Sequence, residues 1–211
     1  MRGYNSGVRE KDRGGDFAGG VAERGTLDMF YEMEIAGQKR QLPLCPVTEE
    51  LYIGAFIMFG DVEITVKAAE ALLKKAPEFD VLITAESKGI PLVHEMARQA
   101  GHNEYVVARK GAKLYMSNII TTEVDSITTD HIQTLCIGQA EADLLRDRRV
   151  LIVDDVISTG ESLKSIEVLV NQVGGKIVGR MAVLAEGEAA DRDDIIYLEK
   201  LPLFNPDGTV K

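Results

Sequence analysis

The chain has 211 residues, with 45% apolar and 27% charged side chains and a formal net charge of −10, which suits one globular domain of α/β size and excludes wholesale disorder. An acidic balance of that size argues against a general nucleic-acid binder, because such a protein needs a basic stripe to displace phosphate counterions, so a small molecule is the expected partner. Cys45 and Cys136 are too few and too far apart for a disulfide framework or a zinc cluster, and no apolar run is long enough for a membrane span or an export signal. A reduced, cytoplasmic setting follows as the expectation.

In chain order, residues 1–25 carry glycines among alternating charges with few apolar anchors, and they predict a flexible extension. The domain proper is expected over residues 26–211. Met29 to Ile35 and Leu51 to Met58 have strand character, and an Ala-rich run from Ile64 to Lys75 has helical character. Asp80 to Thr84 predicts the first clear core strand. It leads into Ala85-Glu86-Ser87-Lys88-Gly89 and then a helix in which Pro91 sits near the start, Leu92, Val93, Met96 and Ala97 form a buried face, and Gly101 ends the run.

Tyr105 to Ala108 predicts the next strand, ending on Arg109-Lys110, and Thr121 to Thr128 with His131 to Ile137 predicts an antiparallel excursion. Val150 to Val153 lacks polar alternation, as a central strand buried on both faces should. Leu163, Ile166, Leu169, Val170 and Val173 then fall at helical spacing before Gly174-Gly175, and Ile177 to Ala185 supplies another strand. Strand, loop and amphipathic helix thus alternate, which predicts an α/β fold with a mainly parallel sheet flanked by helices. A small accessory region from about residues 26–60 and 186–211 completes the expected architecture.

In open α/β sheets ligands bind beyond the carboxyl ends of strands, so Glu86 to Gly89, Arg109-Lys110 and Asp154-Asp155 should meet at one cleft. The segment from Val156 to Ser162 runs into a helix. Its backbone N–H groups, with Ser158, Thr159 and Ser162 hydroxyls, can hold a phosphate, and Gly160 allows close backbone approach. The Gly-x-x-x-x-Gly-Lys-Ser/Thr arrangement of a nucleotide loop is absent, and two acids stand where glycine would be. Paired carboxylates beside a monophosphate pocket suit vicinal ribose hydroxyls, with a hydrated Mg²⁺ nearby.

The run Val-Leu-Ile-Val-Asp-Asp-Val-Ile-Ser-Thr-Gly-Glu-Ser at residues 150–162 resembles the phosphoribosyl-pyrophosphate motif of type I phosphoribosyltransferases. The resemblance implies that Asp154 and Asp155 hold the ribose hydroxyls, that Ser158, Thr159, Gly160, Glu161 and Ser162 wrap the 5-phosphate, and that a small hood covers the site. Ala85-Glu86-Ser87-Lys88-Gly89 resembles the family's pyrophosphate loop, with Lys88 where adenine enzymes carry an arginine, a change that keeps the charge and gives up the planar fork. Arg109-Lys110 followed by Lys113 is similar to a cationic stretch that reaches pyrophosphate in purine enzymes, at times across a dimer interface, which implies a homodimer. Lys88, Arg109, Asp154 and Asp155 are the implied catalytic residues, with Mg²⁺ held through the donor rather than by a protein cage.

Base identity is less defined. Ser158 stands where hypoxanthine-guanine enzymes carry an aspartate, which leaves adenine, xanthine or orotate, and no His follows Lys110 as the orotate enzymes' pattern requires. Adenine enzymes carry an acidic and aromatic loop after the cationic stretch, which Tyr115 to Asn118 and Glu123 match in part. Val156, Ile157, Phe56 and Phe204 are the candidate base walls. Adenine transfer is the leading expectation, and the alternative is a non-catalytic protein that senses the donor, since the Lys88 loop also resembles that of purine-operon repressors. His94, His102 and His131 share no metal spacing, and Arg146 to Arg149 together with the acids from Glu186 to Asp194 read as solvated faces.

Overall fold

The structure, a computed structural model, describes residues 29–124 and 133–211. The expected extension at residues 1–25 and the middle of the antiparallel excursion lie outside those residues. In chain order the elements are β1 (Phe30–Ile35), β2 (Gln38–Pro46), β3 (Tyr52–Gly54), α1 (Val62–Leu73), β4 (Val81–Ala85), α2 (Gly89–Ala100), β5 (Val106–Ala108), β6 (Ile120–Val124) and β7 (Gln133–Ile137). There follow α3 (Gln139–Leu145), β8 (Arg149–Ile157), α4 (Glu161–Gln172), β9 (Lys176–Glu186), a short 3₁₀ helix (Gly187–Asp191), β10 (Ile196–Leu201) and β11 (Leu203–Phe204).

Five strands in the order β10-β9-β8-β4-β5 form the central sheet, and every pairing in it is parallel. Strand β4 is buried along its whole length, as a strand covered on both faces must be. The period of two then sorts the core. Val81, Ile83, Val150 and Ile152 face Leu163, Ile166, Leu169 and Val170 of α4, whereas Leu82, Leu151 and Val153 face Ile64, Ala68 and Leu72 of α1 with Leu92, Val93 and Met96 of α2. The helices therefore lie on both faces, and Gly101 closes α2 in the left-handed conformation at φ 76°.

A second sheet, in the order β1-β2-β3-β11, is antiparallel throughout and joins both ends of the described chain. Pro202 alone separates β10 from β11, so this sheet hangs from the carboxyl edge of the central one. Arg40 on β2 fixes it further. Its guanidinium donates to Asp61 at 2.7 Å and Glu63 at 2.9 Å, and Asp61 in turn caps α1 by accepting from the Ile64 N–H.

Two differences from the sequence expectations, and one agreement, matter for the site. The segment from Leu51 to Met58 is a strand only over Tyr52–Gly54, because β2 and β11 offer no longer edge, and Phe56 and Met58 turn into the core instead. The antiparallel excursion is present as β6 paired with β7. Strand β8 runs on to Ile157, so Asp154 and Asp155 lie inside a strand rather than past its end. Pairing with β4 stops at Ile83 and Ile152 while β9 continues to pair as far as Ile157 and Ala185. Among the described residues no helix is long and apolar enough to cross a membrane.

Candidate active site

Where β4 stops pairing, one edge of β8 opens, and the two acids sit at that opening. Asp155 is 4% exposed, and its Oδ2 lies 2.8 Å from Lys88 Nζ. Lys88, the residue before α2, also donates to the Phe56 carbonyl at 2.7 Å, so one ammonium ties β8, the β4–α2 loop and the segment after β3 together. Asp154 takes a different set of donors. Its Oδ1 accepts from Ser87 Oγ at 3.2 Å and from the Asp155 N–H at 2.9 Å. Burial, reinforced by the adjacent Asp155 charge, pushes the Asp154 carboxyl up to about 7.

Gly89 is required by this approach. A Cβ there would stand 2.6 Å from Thr84 Oγ1 and 3.0 Å from Asp154 Oδ1, so any side chain would drive α2 away from the acid. Ala85, expected at the ligand, pairs with Ala108 in the sheet and belongs to the core, so its methyl supports the loop from below and does not line it.

The second group of expected residues forms a neighbouring cluster around Glu86. Its carboxylate accepts from the Lys110 N–H at 3.0 Å and Arg109 Nη1 at 3.3 Å, with Lys113 Nζ at 3.5 Å. The Lys110 N–H and the two cations hold it below the usual carboxylate range. Arg109 and Lys113 are a third or more exposed, so each pair contributes at most about 1 kcal/mol and can exchange partners.

Past Ile157 the chain makes a three-residue loop, Ser158-Thr159-Gly160, shorter than the sequence reading, and α4 begins at Glu161. Asp154 and residues 156–163 enclose a pocket of about 130 Å³ at the start of α4. The helix N-terminus offers N–H donors and a partial positive charge there. Gly160 has φ 79°, and a Cβ on it would come within 2.8 Å of Arg192 Nη1. Arg192 is held in place by Asp194, which accepts from its Nε and Nη2 at 2.8 Å each.

Glu186 is a residue that the sequence reading left on a solvated face, and Arg192 is one that it did not single out. Glu186 ends β9, is 8% exposed, and accepts a hydrogen bond from the Ser158 side chain; burial raises its pKa, while Ser158 and the Lys88 charge oppose the rise. One signal could have found it. The rule that strand carboxyl ends carry the ligand applies to β9 as much as to β4, β5 and β8.

A larger cleft of about 630 Å³ opens between the second sheet and the loop, with Val47, Leu51, Ile53 and Leu203 on one side and Ser158 and Glu186 on the other. Phe204 and Phe56, expected as walls, are elsewhere. Phe204 is fully buried with its ring 4.9 Å from Tyr31, and Phe56 lies in the core. Val156 and Ile157 line the smaller pocket. Among the described residues no group of three or more His, Cys, Asp or Glu could hold a metal ion, so a hard cation here would need ligand oxygens and water beside the acids. The Glu123 side chain lies outside what the structure describes.

Residues 62–202 match the family model described as the phosphoribosyl transferase domain. The adenine phosphoribosyltransferase of Rhodococcus jostii is 32% identical over 149 residues, which is 69% of this chain and 78% of that protein. That of Acetivibrio thermocellus is 29% identical over 153 residues, 70% of this chain and 84% of the relative. In fold, the chain is similar to the crystal structure of adenine phosphoribosyltransferase from Thermoanaerobacter pseudethanolicus, with a TM-score of 0.58 at 23% identity over 82% of this chain and 95% of that one.

Proposed function

This chain belongs to the phosphoribosyl transferase domain family, and from that premise we propose that it transfers the phosphoribosyl group of 5-phosphoribosyl 1-pyrophosphate to a purine, adenine, giving a nucleoside monophosphate and pyrophosphate. The observation that carries the reading is the continuity of the Asp154-Asp155 pair with the 130 Å³ pocket at the start of α4. Acids for two hydroxyls and a phosphate pocket stand a few residues apart on one strand and loop, as a ribose 5-phosphate requires. The adenine assignment rests on the relatives named above.

In this reading Asp154 and Asp155 orient the ribose, and residues 158–162 hold its phosphate by backbone N–H groups and hydroxyls. Breaking the bond from C1 to pyrophosphate builds positive charge on the sugar and negative charge on the leaving group. The chain's tasks are to position the purine nitrogen in line and to stabilise both charges. The acids serve the sugar, and Lys88, Arg109, Lys110 and Lys113 serve the pyrophosphate. Lys88 has to move from Asp155 toward the leaving group as the ribose hydroxyls take its place. A Mg²⁺ ion brought by the donor would add charge neutralisation, and Asp154, the acid not paired with Lys88, is the residue that would face its water shell.

The second sheet acts as the hood, with the base in the 630 Å³ cleft beneath it. We further assign a cytoplasmic setting and a homodimer, the latter supported by Ile57, Phe59 and Val62, which are each more than half exposed on the segment entering α1. The test offers the protein donor, Mg²⁺ and each of adenine, xanthine, hypoxanthine, guanine and orotate. Pyrophosphate release is expected with adenine. Donor binding by calorimetry without release from any base would instead make the chain a sensor of the donor.

A further inference from the structure

The base cleft contains one buried acid, and the transfer chemistry assigned above makes no use of it. Glu186 ends β9 at 8% exposure and takes a hydrogen bond from Ser158. An ionised carboxylate accepts at about four lone-pair sites and donates nothing, so capacity remains on Glu186 beyond the Ser158 bond. Burial raises its pKa, and the Ser158 side chain and the Lys88 charge oppose that rise. Across the cleft stand Val47, Leu51, Ile53 and Leu203, none of which offers a side-chain polar group.

A flat heterocycle in such a slot lays its faces on the apolar wall and turns an edge to the polar one. The edge that meets Glu186 must bring an N–H. A 6-aminopurine carries an amino donor at the position where a 6-oxopurine carries a carbonyl oxygen, and two acceptors pressed together in a desolvated site leave both without a hydrogen bond.

We propose that Glu186 is a specificity-determining residue of the base cleft, whose carboxylate accepts a hydrogen bond from the exocyclic amino group of a 6-aminopurine and thereby rejects 6-oxopurines. This rests on the reading that the cleft holds the acceptor base. It also explains a feature of the loop. The Ser158 side chain interacts with the Glu186 carboxylate, so the hydroxyl serves the acid as well as the phosphate loop.

The test is Glu186→Gln, which keeps an oxygen for Ser158 and presents an amide donor to the cleft. The specificity constant for adenine is expected to fall about 10- to 100-fold relative to that for hypoxanthine, the range for one charge-assisted hydrogen bond. The KM for the donor and the melting temperature should stay within error. Glu186→Asp keeps an acceptor-only group and should retain the adenine preference. An unchanged adenine-to-hypoxanthine ratio in Glu186→Gln, or an equal loss for both bases, would overturn the proposal. Calorimetry of both bases in the presence of ribose 5-phosphate reads the same ratio without turnover. Absence of pyrophosphate release by the unaltered protein with every base therefore counts against the proposed transfer, while the binding ratio still decides the role of Glu186. Failure of the unaltered protein to bind either base would overturn both.

Discussion

Strands β4 and β8 are neighbours in the sheet, and Glu86, just past β4, and Asp154, inside β8 where β4 has stopped pairing, are driven in opposite directions. Glu86 is surrounded by the Lys110 N–H, Lys113 and Arg109, which hold it charged. Asp154 is half-buried beside a second carboxylate and is pushed up to about 7. One edge of the site is thus satisfied from within, by cations that a pyrophosphate would have to win away from Glu86. The other is left short of donors, which ribose hydroxyls or a hydrated cation would provide. Electrostatic need, rather than pocket size, separates the two halves of the proposed donor site.

The sharpest way to break this comparison is to remove the acid side of it. Asp154→Asn with Asp155→Asn keeps the shape and abolishes the carboxylates, and donor affinity measured by calorimetry should fall by at least about 100-fold, the loss of two charge-assisted hydrogen bonds. The fold should persist, because two like charges leave the interior together. Donor binding within a few-fold of the unaltered protein would show that the ribose does not meet these residues.

Much of this half was legible because its chemistry is local. Residues 150–162 carry the buried strand, both acids, the hydroxyls and the left-handed Gly160 in one run, so neighbours in sequence are neighbours in the site. Lys88 and Arg109 could be placed by following strand ends. The length of β8 could not be read, since it is set by how far β9 keeps pairing after β4 has stopped. The second sheet was legible only in part for the same reason. Strand β11 is two residues long and exists through pairing with β3, some 150 positions earlier, and β2 carries Pro43 and Pro46, which weaken any strand signal. Helix α3 spans seven residues, about two turns, too few to show a period. Glu186 and Arg192 were hidden in an acidic run whose other members, such as Glu188 and Asp193, are exposed.

A pH series sharpens the comparison with a smaller effect. The Asp154 pKa is raised in the folded protein from an ordinary value near 3.8, so the folded state keeps a proton that the unfolded chain gives up between about 4 and 7. Stability from this group is therefore full at the acid end, declines as pH rises through that window, and is level above it. Glu86 has the opposite sign, since its lowered pKa contributes stability that is lost as pH falls. Asp154→Asn removes the first dependence and leaves the second. Its melting temperature should match the unaltered protein near pH 4 and exceed it by a few degrees at pH 8. A constant difference across the series would mean that Asp154 ionises freely.

The smallest effect comes from the other acid. Glu86→Gln releases Arg109 and Lys113 from their counter-charge while an amide oxygen can still accept from the Lys110 N–H. Each broken pair is partly exposed, so the stability lost should be under about 1 kcal/mol per pair, a shift of only a few degrees in melting temperature. Pyrophosphate, measured alone by calorimetry, should bind a few-fold more tightly, because two cations no longer have to leave a carboxylate. Ribose 5-phosphate affinity should not change, since the residues proposed to hold it lie on the β8 side. The pair of readouts is what gives the test its force. Tighter pyrophosphate with constant ribose 5-phosphate would locate the leaving group at the β4–β5 edge, whereas equal changes in both would mean that the two acids act on a single undivided field and that the contrast between the strand ends has no functional content.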